Sequence, residues 1–422
     1  MRKNTFAISI LLLLSFIMFA CAKYQPQLPL ASSIPITHEI TAYQEGQQSR
    51  SSSCPLVIAI PPLNSSARAE NSGRINAFSA TGGVDLKVNC YRDSCGSAPL
   101  PPDIELLCKE NHVEVPENLD GIIFNARFLD IPTYENSGQI AHPHILFFRE
   151  KLAGFHYIMV MTPYPFSNDA HENPSILGSN DGITWEVPKG VINPIFGPPD
   201  DVAHGGYYSD PFILQNGEKL DLWFRYNPAL NTNGQKIRRN SHNRIFRSES
   251  WDLVNWSEPE IMLDCPGKIN HFMSVAIIHD GPVYRLWYTN FNSILYYIES
   301  SDMINWSERR HVQADLNGLG IWHHDISFTG EKYEALFTSA DWDNQPVFRL
   351  FYASSADGLN FGTGHEIIID RISPELKGMT IHKSTYVKTH GTYQMYLPVF
   401  NHNNVWKLFY LEISEENLHY LF

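Results

Sequence analysis

The chain has 422 residues, a formal net charge of −14, 43% hydrophobic residues and 13% aromatic residues. The hydrophobic fraction is enough for a large core, and the aromatic fraction is typical of β structure or of a carbohydrate-binding surface. The negative charge argues against nucleic acid or an anionic membrane surface as the main partner.

The first 21 residues have the pattern of an export signal. The basic start MRKN precedes an apolar run, residues 6–20, that is too short to span a bilayer comfortably. Cys21 follows Ala20 as in bacterial lipoprotein signals, although Met18 stands where those signals usually carry leucine. We expect an exported protein, either a cell-envelope lipoprotein or a secreted or periplasmic one. Cys21 is the candidate for lipidation, and plain cleavage is the alternative.

Two regions precede the repeating part of the chain. Residues 22–50 are polar and rich in Pro, Gln and Ser, which predicts a flexible linker. Residues 51–118 predict a small β module, and in an exported protein its four cysteines favour two disulfides of undetermined connectivity. A zinc site is the competing interpretation, but the spacings lack paired CxxC units. The disulfide candidates are Cys54, Cys90, Cys95 and Cys108.

From residue 119 to the end, two sequence patterns recur. The first is Ser-x-Asp-x-x-x-aromatic, as in SNDGITW, with copies that end at Trp185, Trp256, Trp306 and Phe361. We interpret Asp181, Asp302 and Asp357 in these copies as structural, because a turn aspartate can accept backbone N–H groups. The second pattern is a hairpin with an aromatic second strand, as in SDPFILQNGEKLDLWFRYN, and it occurs five times.

Five units of four short strands in residues 119–422 predict an all-β protein, a five-bladed β-propeller that follows the disulfide-stapled module. We expect the last blade to be completed either by GIIFNARFL, residues 121–129, or by the terminal NLHYLF. We also expect a monomer.

In a propeller, the first strand of each blade starts beside the central axis, and the second strand ends on that same face. The starts of the five first strands therefore form a ring around one funnel, and the loops after the second strands form its rim. The ring residues are His142, His144, Asp210, His271, Ser274, Trp322, His323, His324, Asp325, His382 and Lys383. The rim residues are Asp169, His171, Glu172, Arg225, Asn227, Asn290, Asn292, Asp341, Trp342 and Asp343. Apolar residues would fill a purely structural channel at lower cost, because buried polar groups must find partners. A ring so rich in His and Asp therefore indicates more than packing.

The five hairpins, the SDPF start of a first strand and the SNDGITW turns resemble the five-bladed propeller glycoside hydrolases. These include the arabinanase and xylosidase type of family 43 and the invertase and levansucrase type. The resemblance covers residues 119–422 and implies cleavage of glycosidic bonds by carboxyl groups. In that group, a base aspartate opens blade one, a tuning aspartate opens blade two, and an acid glutamate lies on blade three. Here His142-Pro-His144 stands in blade one and Ser274 in blade three, so only Asp210 maps directly.

The carboxylates that face the funnel supply the candidate catalytic residues. Hydrolysis of an acetal needs one protonated acid and one carboxylate base or nucleophile. We predict Asp210 and Asp325 as the pair, with Glu172 as the third carboxylate and roles that the sequence does not separate. The predicted substrate-binding residues are His142, His144, Arg225, His271, Trp322, His323, His324 and Lys383.

The predicted function is hydrolysis of an extracellular or cell-envelope polysaccharide, of the arabinan or xylan type or a bacterial surface glycan. The first alternative is a lectin-like propeller that binds a glycan without cleaving it, which the departure from the family's carboxylates favours. A second alternative is a divalent metal ion at His142, His144, His323 and His324. We expect the hydrolase to require no cofactor, although a structural cation in the channel is compatible with it.

Overall fold

The computed structural model describes residues 122–422 except 239–241, 267–271 and 342–346. These residues belong to the compact unit Glu117–Phe422. The export signal, the linker, the cysteine-rich module and the residues Cys21, Cys54, Cys90, Cys95 and Cys108 lie outside the described residues. Within the described ranges, no helix has the length and apolar character needed to cross a membrane.

The described strands form five antiparallel sheets that are the blades of a propeller, as predicted. Blade one consists of β2 (Ile140–Leu152), β3 (Phe155–Pro163), β4 (Ser175–Ser179) and β5 (Trp185–Glu186). Blade two consists of β6 (Tyr207–Asn216), β7 (Lys219–Asn227), β8 (His242–Ser250) and β9 (Glu260–Pro266). Blade three consists of β10 (Val275–Asp280), β11 (Val283–Thr289), β12 (Leu295–Ser300) and β13 (Arg310–His311).

Blade four consists of β15 (Gly320–Phe328), β16 (Tyr333–Asp341), β17 (Val347–Ser355) and β19 (His365–Ile367). Blade five consists of β20 (Thr380–Ile381), β21 (Thr385–Thr389), β22 (Thr392–Phe400), β23 (Trp406–Ser414) and β1 (Ile123–Leu129). A parallel pair, β14 (Gln313–Asp315) and β18 (Asn360–Thr363), links blades three and four. Among the described residues, the helical segments are α1 (Ile369–Ile372) and the 3₁₀ turns Pro165–Ser167, Asp169–His171, Val202–His204, Pro374–Leu376 and Glu415–Leu421.

The propeller is closed by the first described strand. β1 pairs antiparallel with β23, so that Ile123 lies opposite Ile413 and Leu129 lies opposite Leu408. The chain therefore starts and ends in the same blade, and of the two closures that the sequence allows, the strand in residues 121–129 is the one observed. The terminal NLHYLF belongs to a 3₁₀ turn instead, and its Leu418 and Leu421 are buried in the core.

The middle strands are buried on both faces because neighbouring blades pack against them. β7 illustrates this, since consecutive residues Leu222, Trp223 and Phe224 are all fully buried. Trp223 belongs to the core that blade two shares with blade three, whereas Phe224 packs in the core that it shares with blade one. A strand that is covered by apolar residues of a neighbouring blade on each face has a continuous hydrophobic sequence rather than an alternating one.

The repeated Ser-x-Asp turns stabilise the ends of the third strands. In blade one, Asp181 Oδ1 accepts the backbone N–H groups of Ile183 at 2.8 Å and of Thr184 at 2.7 Å. Trp185 Nε1 donates to the carbonyl oxygen of Gly182 at 3.2 Å. Asp302 and Asp357 accept backbone N–H groups in the same way, which confirms the structural interpretation of these aspartates.

We expect Asp181→Ala to lower the free energy of unfolding by about 1 kcal/mol, because two backbone N–H groups lose their acceptor. Asp181→Asn keeps an acceptor oxygen and should lose less. Burial opposes ionisation of Asp181, but the amides of Thr184 and Ile183 outweigh it and lower the pKa. The stabilisation is therefore complete above about pH 4 and is lost as the pH falls through the lowered native pKa. Urea unfolding from pH 7 to pH 3 measures this, and a difference between wild type and Asp181→Ala that grew in acid would contradict it.

Candidate functional site

Several inner strands lose their regular pairing where polar residues approach the axis. The register shifts lie between Ala141 and His144 in β2, between Ser209 and Phe212 in β6, and between Ile321 and His323 in β15. In blade five, the gap between β20 and β21 contains residues 382–384. A bulge redirects side chains that a regular strand would place on its two faces. His142 and Asp210 also have left-handed backbones, with φ of 52° and 50°, a conformation that is unfavourable for residues with a Cβ and is common at functional sites.

Three histidines from three blades meet at the axis. His142, His323 and His382 each offer a ring nitrogen, and these nitrogens lie within 4.8 Å of one another. The ring centroids are 4.4 Å apart for His323 and His382 and 5.1 Å apart for His142 and His382. Burial lowers the pKa of all three, that of His142 to about 3. The imidazoles are therefore neutral at neutral pH, which is the form that binds metal ions.

This cluster differs from the four histidines that the sequence suggested for a metal. His142 and His323 belong to it, and His382 takes the third position. The ring of His144 stacks on Phe212 with centroids 3.6 Å apart, and its Nδ1 accepts the N–H of Ile213 at 3.2 Å. His324 Nε2 lies 3.3 Å from the carbonyl oxygen of Trp287.

Asp210 lies beside the histidine cluster and is fully buried. Its Oδ2 is 2.9 Å from Arg225 Nη2, and its Oδ1 is 3.1 Å from His323 Nδ1 and 3.7 Å from His142 Nε2. Burial would raise the pKa of Asp210, but His142, Arg225 and His323 together hold it well below its usual range. Because burial keeps the histidines neutral, Arg225 is the permanent positive charge among these three neighbours. Asp210 is thus ionised.

Glu172 lies on the other side of His142. Its Oε2 accepts a hydrogen bond from Ser209 and lies 3.5 Å from His142 Nδ1. Burial, together with the nearby charge of Asp169, raises the pKa of Glu172 well above its usual value. One imidazole therefore separates the ionised carboxylate of Asp210 from the carboxyl group of Glu172, whose protonated form burial favours.

Asp325 contacts a different set of residues. Its Oδ2 accepts from Thr385 Oγ1 at 2.6 Å, and its Oδ1 lies 3.7 Å from His144 Nε2. Burial raises the pKa of Asp325 to about 6, although Thr385 and Lys383 act in the opposite direction. Lys383 is fully buried, and burial lowers its pKa. The negative charges of Asp210 and Asp325 act in the opposite direction. The carboxylates proposed as a pair thus occupy two neighbouring polar clusters.

Trp322 and His271 are the remaining predicted binding residues. The ring of Trp322, partly exposed, has its centroid 5.6 Å from that of His323 and 5.9 Å from that of Phe291. His271 lies outside the described residues.

Sequence reasoning assigned no site role to three residues that lie in or beside the candidate site. Ser209 binds Glu172, Thr385 binds Asp325, and His382, recognised as a ring residue, was given no role. Two signals were available, since Ser209 precedes Asp210 and Thr385 follows the His382-Lys383 pair. Hydroxyl residues are too common in strands for these positions to stand out.

No protein-family model matches the chain. A curated protein of Flavonifractor plautii, named A type blood N-acetyl-alpha-D-galactosamine deacetylase, is 25% identical over a 286-residue alignment. The match covers 56% of this chain and 36% of that protein, so the chain spans about a third of the length of this relative.

The chain is also similar to proteins of solved structure. An N-acetylgalactosamine deacetylase from F. plautii, in complex with blood group B trisaccharide, matches with a TM-score of 0.58 and 20% identity. That match covers 70% of this chain and 96% of the deacetylase chain. An exo-1,5-alpha-L-arabinanase from a bovine ruminal metagenomic library matches with a TM-score of 0.44 and 14% identity over 65% of this chain and 92% of its own. The deacetylase match shows a common propeller fold.

We expect Arg225→Met to destabilise the protein by about 3–5 kcal/mol, because it leaves the Asp210 carboxylate buried without its charged partner. Urea unfolding at pH 7 measures the loss. The double variant Arg225→Met with Asp210→Asn removes both charges and should recover a large part of it. Equal losses in the single and double variants would show that the ion pair is not what the substitution disrupts.

Proposed function

We propose that this propeller is a glycan-active hydrolase that removes the acetyl group from an N-acetylated amino sugar with the help of a divalent cation. The observation that carries the proposal is the convergence of His142, His323 and His382, buried and neutral, beside the ionised Asp210. The name of the F. plautii relative supports the substrate class. The export signal expected in residues 1–21 would bring the enzyme to extracellular or envelope glycans.

The residues at the axis fit a cation. Three neutral histidines are a ligand set of catalytic zinc sites that keep one position open for water or substrate. Within the described part of the chain, Nδ1 of His382 is buried without a hydrogen-bond partner. Asp210 Oδ1 lies 3.1 Å from His323 Nδ1, where it can accept that proton and leave the lone pair on Nε2. Carboxylates commonly orient metal-binding histidines in this way.

When bound, a divalent cation polarises a carbonyl group and lowers the pKa of water. The protein's own residues would supply the proton. In amide hydrolysis, the C–N bond breaks, a new C–O bond forms to the oxygen of water, the amine nitrogen gains one proton and the water oxygen loses one. Burial favours the protonated form of Glu172, which can donate the proton to the amine and regain one from the water oxygen, while Ser209 holds its carboxyl group in place. Arg225 keeps Asp210 ionised, so that Asp210 continues to orient His323.

A glycoside hydrolase is the second candidate. The observation in its favour is the position of Asp210, whose pKa is lowered, and of Glu172, whose pKa is raised, on either side of one imidazole, since glycosidases separate the pKa values of two carboxyl groups in this manner. Asp325, which burial also protonates in part near neutral pH, is the third carboxyl group of this alternative.

The histidine cluster predicts that the full chain binds one divalent cation. We expect His323→Ala and His382→Ala to weaken zinc binding by at least about a hundredfold, because each removes a ligand. His144→Gln is the matched control, since His144 is equally buried but stacks on Phe212. Zinc titration calorimetry measures the affinity. Wild-type affinity in His382→Ala would remove His382 from the site.

The reaction is tested by incubating the protein with methyl N-acetyl-α-D-galactosaminide and with an N-acetylgalactosamine-terminated trisaccharide. We expect release of acetate without new reducing ends. Glu172→Gln keeps the size and the bond from Ser209 but loses the acidic proton, so kcat should fall by about 10²–10⁴. Asp325→Asn is the control, because Asp325 lies against Thr385 and His144.

New reducing ends without acetate would establish the glycoside hydrolase instead. Retention of the trisaccharide with neither product would identify a glycan-binding propeller.

A further inference from the structure

Phe166 is an exposed aromatic residue on the funnel side of blade one. It lies in the loop that follows β3, and the last residue of β3, Pro163, pairs with Ile140 at the start of the inner strand. The same loop leads to Glu172. The Phe166 side chain is 65% exposed. A large ring kept in solvent at the rim of a site has a free face for a ligand.

The backbone that presents this ring is unfavourable for its residue type. Phe166 and Ser167 are consecutive left-handed residues, with φ of 52° and 60°. Residues with a Cβ adopt this conformation at a cost, and two in succession are held by their surroundings. Glycine would meet the same backbone requirement without strain. Phenylalanine here places a large ring on a backbone that glycine would adopt more readily.

The surroundings that hold the loop are buried and specific. The side-chain oxygen of Gln139 accepts the N–H of Phe166 at 3.2 Å and the N–H of Trp406 at 3.0 Å. Trp406 Nε1 donates to Ser167 Oγ at 3.0 Å. Gln139 and Trp406 are 6% and 3% exposed, so each of these bonds has at least one buried partner. They join the strained turn to blade five.

The same supports connect the turn to the histidine cluster. Tyr164 packs its ring 6.3 Å from that of His142 and 5.0 Å from that of Trp406. Trp406 in turn lies 5.2 Å from His382. The residues that hold the Phe166 turn in place therefore contact two of the three histidines, whereas the ring of Phe166 itself is exposed to solvent.

We propose that Phe166 is a specificity-determining platform on which a second sugar ring of the glycan stacks, beyond the amino sugar that is processed at the axis. The inference rests on the proposed function, because it assumes a glycan in the funnel. Pyranose rings present an apolar face of C–H groups, and an aromatic ring supplies a rigid apolar surface that matches it. The substrate class is accordingly an oligosaccharide or a longer glycan chain, not a free monosaccharide.

The test compares the two probes used above. With Phe166→Ala, KM for the trisaccharide should rise about tenfold, since loss of one aromatic contact is worth about that factor in affinity. KM for the methyl monosaccharide and kcat for both should stay unchanged. Phe166→Tyr should behave as wild type, and Phe166→Leu should resemble Phe166→Ala. Equal changes for both probes, or none, would overturn the proposal.

Trp251→Ala is the matched control. Trp251 is 66% exposed, but it follows Ser250, which pairs with Leu220 at the end of blade two remote from the funnel. Its removal should leave both KM values unchanged. A rise as large as that of Phe166→Ala would mean that loss of any exposed aromatic residue has this effect, against the proposal.

Phe166→Gly distinguishes the effect of losing the ring from the effect of the strained backbone. Glycine relaxes the left-handed backbone, so its Tm should be at least that of Phe166→Ala, while KM for the trisaccharide rises as much. A lower Tm would contradict the strained conformation on which the inference depends.

Calorimetric binding of the trisaccharide separates this inference from the proposed function. If no acetate is released but the trisaccharide binds about tenfold more weakly to Phe166→Ala than to Trp251→Ala, the platform stands and the deacetylase fails. If wild type does not bind the trisaccharide, the platform is overturned.

Discussion

Five inner strands converge on one axis, and the polar side chains that they place there are buried. A buried charge is costly unless a group of opposite charge or a hydrogen-bonding group lies beside it. Asp210 of blade two has such neighbours in Arg225 of its own blade, His142 of blade one and His323 of blade four. Burial lowers the pKa of the histidines and raises that of Glu172, whereas His142, Arg225 and His323 hold the pKa of Asp210 below its usual range. The chemistry proposed for the site thus follows from how the blades share their buried polar groups.

The irregular backbone supports the site at some cost in stability. His142, Asp210 and Phe166 are left-handed residues, and none is a glycine. The first two lie within register shifts, and these shifts bring side chains of different blades into contact. The long blade-to-blade apolar cores offset this strain, since the middle strands bury large residues such as Trp223 and Trp287 on both faces. A rigid, apolar frame around a strained polar centre is a common arrangement in enzymes.

Much of the architecture was predictable because its signals are local. The hairpin that turns at Asn216-Gly217 and the Ser-x-Asp turns each depend on residues a few positions apart, and their repetition implied five blades. The position of the ring residues followed from the topology alone. The closure of blade five was less certain, because residues 121–129 and the C-terminal segment both contain apolar residues, and only pairing with β23 distinguishes them.

The sequence by itself determined the strand pattern, the turn chemistry and the set of polar residues that face the funnel, since each depends on neighbours along the chain. Only the tertiary structure decided which of these residues meet. His382 joins His142 and His323, whereas His144 stacks on Phe212 and Asp325 binds Thr385. Those contacts join residues from different blades, and they depend on bulges whose position is set by packing across the axis. No short-range pattern encodes a bulge of that kind, because its contacts are made to residues of other blades that lie far away along the chain.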